Sequence, residues 1–205
     1  MSSLSLFDDD ELANLTAVPP DAGDAVGRVP GLGYRAAFIT PAEEAELLAH
    51  VDAAPWTGRW QRRTQYYGER YAPRDDTDTA PDLPIPAWAD PFRERLHAAG
   101  IFERLPTQVG VNEYLPGQGI SAHMDYFGGT VVSLSLGSGC VMDFERPGTP
   151  ERRWAWLEPR SIVILQGDAR HMWTHGIARR RKDIVGGAAY ARTRRVSITF
   201  RDIRR

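Results

Sequence analysis

Two histidines and one aspartate are the residues of this chain whose types suit metal chemistry. His123 and Asp125 are separated by a single residue, and His175 lies further along the chain, just before a glycine that leaves room for close approach. Two imidazoles and one carboxylate form the ligand set of non-haem Fe(II) centres that leave coordination positions open for oxygen and a cosubstrate. The sequence therefore predicts a metal site at His123, Asp125 and His175.

The spacing of the first two ligands is typical of an extended segment. Side chains two residues apart on a strand point to the same face, so His123 and Asp125 can hold one ion together, while Met124 is expected to point into packing. A His-x-Asp pair alone is a common surface feature. His171 is an alternative ligand, four residues before His175, although this segment lacks the Glu of a helical zinc-protease motif.

An alternating segment near the end of the chain indicates an anion site. Residues 195–201 alternate apolar and polar side chains, which an ordinary exposed strand would also do. The arginines at both ends of the polar face could hold a dicarboxylate cosubstrate, because guanidinium groups pair strongly with carboxylates. Asn112 and Tyr114 show the same two-residue spacing and could add hydrogen bonds. The polar face consists of Arg195, Ser197, Thr199 and Arg201.

These residues need a β-rich scaffold to bring them together. Thr40-Pro41-Ala42-Glu43 has the form of a capping box, which predicts a helix that ends at Pro55. A second helix is predicted at about Ala87–Ala99, and a first strand near Leu32–Ile39. After Gly100 the β-branched and alternating segments predict six strands, with Gly and Pro between them. They are Gln108–Tyr114, Thr130–Leu136, Cys140–Phe144, Arg153–Leu157, Ser161–Leu165 and Arg195–Arg201.

Two helices leading into many strands predict an α+β, mainly β fold, with a jelly-roll core and helices that buttress one sheet. The length of 205 residues fits one domain, predicted at residues 29–205. Residues 1–28 are acidic, contain Pro19-Pro20 and are interpreted as a flexible extension.

Composition narrows the partners and the compartment. The net charge of −2 does not by itself indicate nucleic-acid binding. Cys140 is the only cysteine, so no internal disulfide can form, and a reducing cytoplasm is expected. The N-terminus lacks a secretory signal and no apolar stretch approaches membrane-spanning length, so no membrane association is expected. No obligate protein partner is evident.

A segment that we term the flap, residues 60–71, alternates long polar and aromatic side chains around Gly68 and predicts a hairpin or mobile loop. The basic run at 179–182 could form a phosphate-contacting rim.

Taken together, these motifs resemble the AlkB family of Fe(II)- and 2-oxoglutarate-dependent dioxygenases. The resemblance covers roughly residues 30–203 and is densest after Thr107, where the motifs occur in the same order as in the family. The segments that carry it are 112–117, 123–125, 132–137, 175–177 and the pair Arg195…Arg201.

The resemblance implies a double-stranded β-helix, Fe(II) held by His123, Asp125 and His175, and 2-oxoglutarate and O2 as cosubstrates. Arg195 would pair with the distal carboxylate of 2-oxoglutarate, assisted by Asn112, Tyr114 and Ser197. Arg201 would lie near the metal-proximal carboxylate and the substrate. The flap looks like the nucleotide-recognition segment of the family. This likeness makes Arg62 and Arg63 candidates for phosphate contacts, and Tyr66, Tyr67 and Trp60 candidates to hold or stack a nucleobase.

The implied function is oxidative demethylation or dealkylation of nucleobases in DNA or RNA. Residues 173–177 and 132–141 look most like the branch that hydroxylates a modified wobble uridine in tRNA, which is a second hypothesis. Two hypotheses from other classes also fit parts of the sequence. One is a cupin-like zinc hydrolase or isomerase with the same three ligands, and the other is a non-catalytic nucleic-acid-binding module.

Overall fold

Two antiparallel β-sheets pack face to face in the computed structural model, which describes residues 23–57, 62–69, 83–125 and 129–203. The larger sheet has the strand order β1-β8-β5-β12-β3-β2, and the smaller has the order β4-β9-β6-β7. A hairpin, β10–β11, forms a two-stranded sheet of its own and packs against the smaller sheet through Val185 and Tyr190. The strands are β1 Leu32–Arg35, β2 Thr64–Gly68, β3 Gln108–Tyr114, β4 Ile120–His123, β5 Val131–Gly137, β6 Cys140–Glu145, β7 Arg152–Leu157, β8 Ile162–Leu165, β9 Thr174–Ile177, β10 Lys182–Val185, β11 Ala188–Ala191 and β12 Arg195–Arg201.

Three α-helices accompany these strands in the described part of the chain. They are α1 Pro41–Ala53, α2 Asp90–Ala98, which follows a 3-10 turn at Ala87–Ala89, and α3 Gly167–His171. Leu47 and Val51 of α1 and Leu96 of α2 are buried against the outer face of the larger sheet in one hydrophobic core. A second core, which includes Phe144 and Leu165, lies between the two sheets. The predicted jelly roll with helices buttressing one sheet is therefore confirmed.

The start of α1 confirms its predicted capping box. The Thr40 backbone N–H donates to Glu43 Oε2 at 2.7 Å, and the Glu43 backbone N–H donates to Thr40 Oγ1 at 3.2 Å. The strand before it is shorter than predicted, because β1 ends at Arg35 and Ala37 turns the chain with φ of 47°. Left-handed backbone of this kind is incompatible with a continuing strand.

The two strands that carry the most predicted site residues have the bounds that the sequence predicted. β3 and β12 pair antiparallel along their whole length, from Arg195 opposite Tyr114 to Arg201 opposite Gln108. The sequence did not predict β4, β9, α3 or the β10–β11 hairpin. β4 and α3 are only four and five residues long, which leaves little room for a periodic pattern.

The predicted boundary of the N-terminal extension requires correction. Gly23 forms a β-bridge with Ala155. Ala25 is fully buried, and its backbone N–H donates to the carbonyl oxygen of Trp154 at 3.0 Å. The packed domain thus begins at or before Gly23 and not at residue 29, while residues 1–22 lie outside the described part. No helix among the described residues is long and apolar enough to cross a membrane.

Candidate metal centre and cosubstrate cleft

Two strands of the smaller sheet bring the predicted ligands together. His123 is the last residue of β4 and pairs with His175 on β9, so that the ring centres lie 4.5 Å apart. Asp125 follows two residues after β4, and its Oδ2 lies 3.8 Å from His175 Nε2. One ligand atom from each of the three residues lies within 4.8 Å of the others. His171 is exposed on α3 and outside this group, so the alternative ligand is not supported.

The two imidazoles are prepared to act as ligands. His123 Nδ1 lies 2.8 Å from the backbone oxygen of Ser121, and since a carbonyl only accepts, Nδ1 carries the proton and Nε2 keeps its lone pair. Burial lowers the pKa of His175 to about 4, against the opposing effect of the nearby Asp125 carboxylate. His175 is therefore neutral at pH 7, the state that binds a metal.

Asp125 is held by two arginines. Arg201 Nη2 lies 3.5 Å from Asp125 Oδ1, and Arg170 Nη1 donates to the Asp125 backbone oxygen at 2.5 Å. Burial alone would raise the pKa of Asp125, but the positive charges of Arg201 and Arg170 outweigh it and lower the pKa. Asp125 Oδ2 is buried without a hydrogen-bond partner in the described part of the molecule, as expected of a carboxylate oxygen prepared for a metal ion.

Met124 does not pack as predicted. Its side chain is 39% exposed. β4 ends at His123, so the alternation of a strand no longer governs the residues that follow it. The prediction that His123 and Asp125 lie together is nevertheless correct.

An open cleft lies beside these ligands, between the two sheets. Arg195, which is 3% exposed, lies on the cleft wall and donates from Nη2 to Ser135 Oγ at 2.9 Å. Its Nε and Nη1 are buried and have no partner among the described residues. Leaving charged donors buried and unpaired is costly, so this arrangement fits a carboxylate ligand. Asn112, Tyr114, Ser197 and Arg201 also line the cleft.

Strand register explains this polar wall. Asn112 lies between Thr64 on β2 and Ser197 on β12. In the adjacent row Gly110 lies between Tyr66 and Thr199.

Gly110 leaves space that the neighbouring side chains use. A Cβ atom at Gly110 would stand 3.2 Å from Arg201 Nη1 and 3.4 Å from Tyr66 Cε1. Tyr66 therefore lies on the same side of the sheet as the metal ligands and next to Arg201.

The other described flap residues predicted to contact nucleic acid make contacts within the protein. Tyr67 is wrong as a base contact, because it alternates to the helix side, is buried in the core and donates from its hydroxyl to Gln65 Oε1 at 3.1 Å. Arg63 donates to both carboxylate oxygens of Glu113, at 2.6 and 2.7 Å, which does not support a phosphate contact. Arg62 donates from Nε to Asn112 Oδ1 at 3.0 Å. Trp60 lies outside the described residues.

Part of the basic run is also engaged within the protein. Arg180 and Arg192 both bind the fully buried carboxylate of Asp183, with shortest distances of 2.6 Å. Arg181 and Lys182 are exposed in the β10–β11 region, as is Arg179 before it. The hairpin therefore has an ionic anchor and an exposed basic side.

Two contributors to the site were not found from the sequence. Arg170 is 2% exposed, and its Nε and Nη2 have no partner among the described residues. Ser135 binds Arg195 from β5. Ser135 lies within the family-like segment 132–137, but nothing in that segment assigns it a role, and Arg170 lies in no motif that the sequence analysis used.

Residues 34–201 match the family model of the 2OG-Fe(II) oxygenase superfamily. This protein is therefore a 2-oxoglutarate- and Fe(II)-dependent oxygenase, whose cofactors are Fe(II), 2-oxoglutarate and O2. Within that superfamily the chain belongs to the AlkB-like family, since it is more than 30% identical to ALKBH8 and ALKBH6 proteins over most of its length. Membership of this superfamily favours an oxygenase over the zinc hydrolase and the non-catalytic module. The ligand atoms of His123, Asp125 and His175 fit the iron, and the unpaired donors of Arg195 fit the dicarboxylate.

Three relatives place it in the family. The chain is 34% identical to the "Alkylated DNA repair protein ALKBH8 homolog" of Arabidopsis thaliana, over 91% of this chain and 62% of the relative. It is 37% identical to the "tRNA (carboxymethyluridine(34)-5-O)-methyltransferase ALKBH8" of Macaca fascicularis, over 76% of this chain and 25% of the relative. It is 31% identical to the "Probable RNA/DNA demethylase ALKBH6" of Danio rerio, over 85% of this chain and 86% of the relative. The chain thus spans less than two thirds of the first two relatives.

The solved structure of OsALKBH1 has the same fold. It matches with a TM-score of 0.64 and 17% identity, covering 84% of this chain and 98% of that one.

Proposed function

We propose that this chain demethylates or dealkylates bases of DNA or RNA oxidatively, with Fe(II) held by His123, Asp125 and His175. The observation that carries the proposal is the presence of two complementary features in one cleft. The ligand atoms gather within 4.8 Å, and the buried guanidinium of Arg195 keeps two donors without a partner among the described residues. A zinc hydrolase would use the first feature only, whereas a 2-oxoglutarate oxygenase uses both.

In this proposal Arg195 binds the distal carboxylate of 2-oxoglutarate, and Asn112, Tyr114 and Ser197 assist it. Arg201 lies beside Asp125 and serves the metal-proximal carboxylate and the substrate. When bound, the iron supplies the oxidative chemistry, in which 2-oxoglutarate and O2 give succinate, CO2 and a hydroxylated alkyl group on the substrate. A hydroxylated N-methyl group then leaves the base as formaldehyde.

The chain's own residues supply orientation and a largely dry environment. Ser121 fixes the His123 ring, and the contacts of Arg170 and Arg201 fix Asp125. The burial of His175 and Arg195 keeps water from competing for the same groups. These contacts support a site that is organised before the cosubstrate arrives.

The names of the Arabidopsis and zebrafish relatives support a nucleic-acid substrate. A base must leave its stack to reach the cleft, and Tyr66 is the described flap aromatic that lies next to Arg201. Arg179, Arg181 and Lys182 follow shortly after the cleft-lining Ile177 and are exposed. We assign phosphate contacts to these three cations, so that binding should weaken with added salt.

The second candidate is hydroxylation of a modified uridine in tRNA. It is favoured by the name of the macaque relative, which is 37% identical to this chain. This chain covers 25% of that relative, so the relative's whole activity is not transferred.

We also propose a cytoplasmic location, because a single buried cysteine and a ferrous centre both suit a reducing compartment.

The experiment is a substrate screen with mass-spectrometric detection. The protein is given Fe(II), 2-oxoglutarate and O2 with methylated DNA, methylated RNA or tRNA. Dealkylation predicts loss of the alkyl group together with succinate and formaldehyde, whereas the second candidate predicts addition of one oxygen to a tRNA uridine. Turnover that proceeds with Zn(II) and forms no succinate would instead identify a hydrolase. Binding of every nucleic acid without any turnover would identify a binding module.

A further inference from the structure

Two adjacent arginines of the flap lie on opposite sides of β3. Arg63 binds Glu113, and its guanidinium carbon stands 4.8 Å from the centre of the Trp56 ring. Arg62 instead lies on the cleft side, where it donates to Asn112 and its guanidinium carbon stands 5.7 Å from the Tyr114 ring centre. β2 begins just after Arg63, and the contacts of the two guanidinium groups show that anchoring Arg63 to Glu113 leaves Arg62 on the cleft side.

The contact with Arg62 determines which end of the Asn112 amide is available to a ligand. A guanidinium has only donors, so the atom of Asn112 that faces Arg62 must be the carbonyl oxygen. The amide NH2 is then the group that Asn112 can offer to the cleft, which it lines. An NH2 group donates to a carboxylate, whereas an amide oxygen would repel it.

The same contact adds positive charge to this end of the cleft. The guanidinium carbons of Arg62 and Arg195 stand 5.7 and 5.3 Å from the centre of the Tyr114 ring, so this ring contacts two cations. Arg195 is almost fully buried, and in the described part of the chain no carboxylate pairs with it. A dianionic cosubstrate is the ligand that such a charge pattern favours.

We propose that Arg62 is a positioning residue of the cosubstrate site. It directs the NH2 group of Asn112 toward 2-oxoglutarate, and it connects the flap to the cosubstrate rather than to nucleic-acid phosphates. The inference deepens the proposed function, because it rests on the assignment of Asn112 and Arg195 to 2-oxoglutarate.

The test is a double-mutant cycle on 2-oxoglutarate affinity, measured by calorimetry under anaerobic conditions with Fe(II)-loaded protein and no nucleic acid. Arg62→Ala and Asn112→Ala should each raise the dissociation constant about tenfold, as expected for one charge-assisted contact. The loss in the double variant should be clearly smaller than the two single losses combined, because Arg62 acts mainly through Asn112. Arg152→Ala, which removes a 75% exposed arginine, is the matched control and should leave the affinity unchanged.

Two results would overturn the inference. Either Arg62→Ala binds 2-oxoglutarate as tightly as the unchanged protein, or the effects of Arg62→Ala and Asn112→Ala add fully in the double variant. If the unchanged protein failed to bind 2-oxoglutarate, the proposed function itself would fail. The two failures are therefore distinguishable, and a negative substrate screen would not affect either measurement.

Discussion

His123 and His175 face each other on paired strands, with ring centres 4.5 Å apart and Asp125 within reach of both. We expect His123→Ala to abolish conversion of 2-oxoglutarate to succinate, because the remaining two residues hold a divalent ion too weakly. His171→Ala is the control, since His171 is exposed outside the cluster, and it should retain full turnover. Full succinate formation by the His123 variant would contradict the ligand assignment.

Arg170 should control metal affinity through the backbone of Asp125. Arg170→Met keeps an apolar side chain of similar length but removes the 2.5 Å hydrogen bond to the Asp125 oxygen. Loss of such a supporting contact typically weakens metal binding about 10- to 100-fold. Titration of the metal-free protein with Mn(II) measures this, and Arg146→Met, which breaks a half-exposed ion pair elsewhere, should bind normally. If Arg170→Met and Arg146→Met bound Mn(II) equally tightly, Arg170 would have no role in supporting the metal site.

Gly110 should be required for the substrate side of the cleft. Gly110→Ala places a methyl group 3.2 Å from Arg201 Nη1, so that the guanidinium must shift, and brings the Tyr66 ring into contact at 3.4 Å. Because small displacements at a reacting centre are costly, we expect kcat/KM on the modified oligonucleotide to fall about tenfold. Gly33→Ala creates a similar 3.3 Å contact, with Ile164 on the far side of the sheet, and should keep its activity. If Gly110→Ala and Gly33→Ala had similar kcat/KM values, the cleft would tolerate the added methyl group and the prediction would be wrong.

Glu113 should make stability depend on pH in the acid range. Hydrogen bonds from Arg63, and then Arg194, hold the pKa of Glu113 below its usual 4.5 despite the opposing effect of burial. A carboxyl with a lowered pKa in the folded state stabilises the protein above its unfolded pKa. The free energy of unfolding should therefore decrease as the pH falls below about 4.5.

Urea unfolding at several pH values measures this dependence. Glu113→Gln should lose about 2 kcal/mol at neutral pH, the usual worth of hydrogen bonds to a charged group. It should also show a weaker loss of stability on acidification than the unchanged protein. The prediction would be wrong if both proteins lost stability in parallel as the pH was lowered.

The elements that sequence reasoning predicted correctly are those with local or periodic signals. The capping box at Thr40 is contained within four residues, and β12 shows a clean alternation along its length. The ligand set was predictable because His123, Asp125 and His175 occur in the order and spacing of a known family, and the structure brings them together.

The errors arose where side-chain type does not reveal which way a residue points. Tyr66 and Tyr67 are chemically identical, and only the pairing of Tyr66 with Gly110 places one ring at the cleft and the other in the core. Arg62 and Arg63 differ for the same reason. Arg170 was missed because its contact with Asp125 depends on the short helix α3, which no periodic pattern announces.

The buried carboxylate of Glu113 has a consequence for exchanging segments between relatives. It is shared by Arg63 from the flap and Arg194 beside β12, and Arg194 also binds Asp52 in the last turn of α1. A chimera that received a foreign flap without an arginine at position 63 would leave this carboxylate with one of its two cations. Transplanting substrate preference between AlkB-like enzymes should therefore succeed only when the graft carries Arg63 with it.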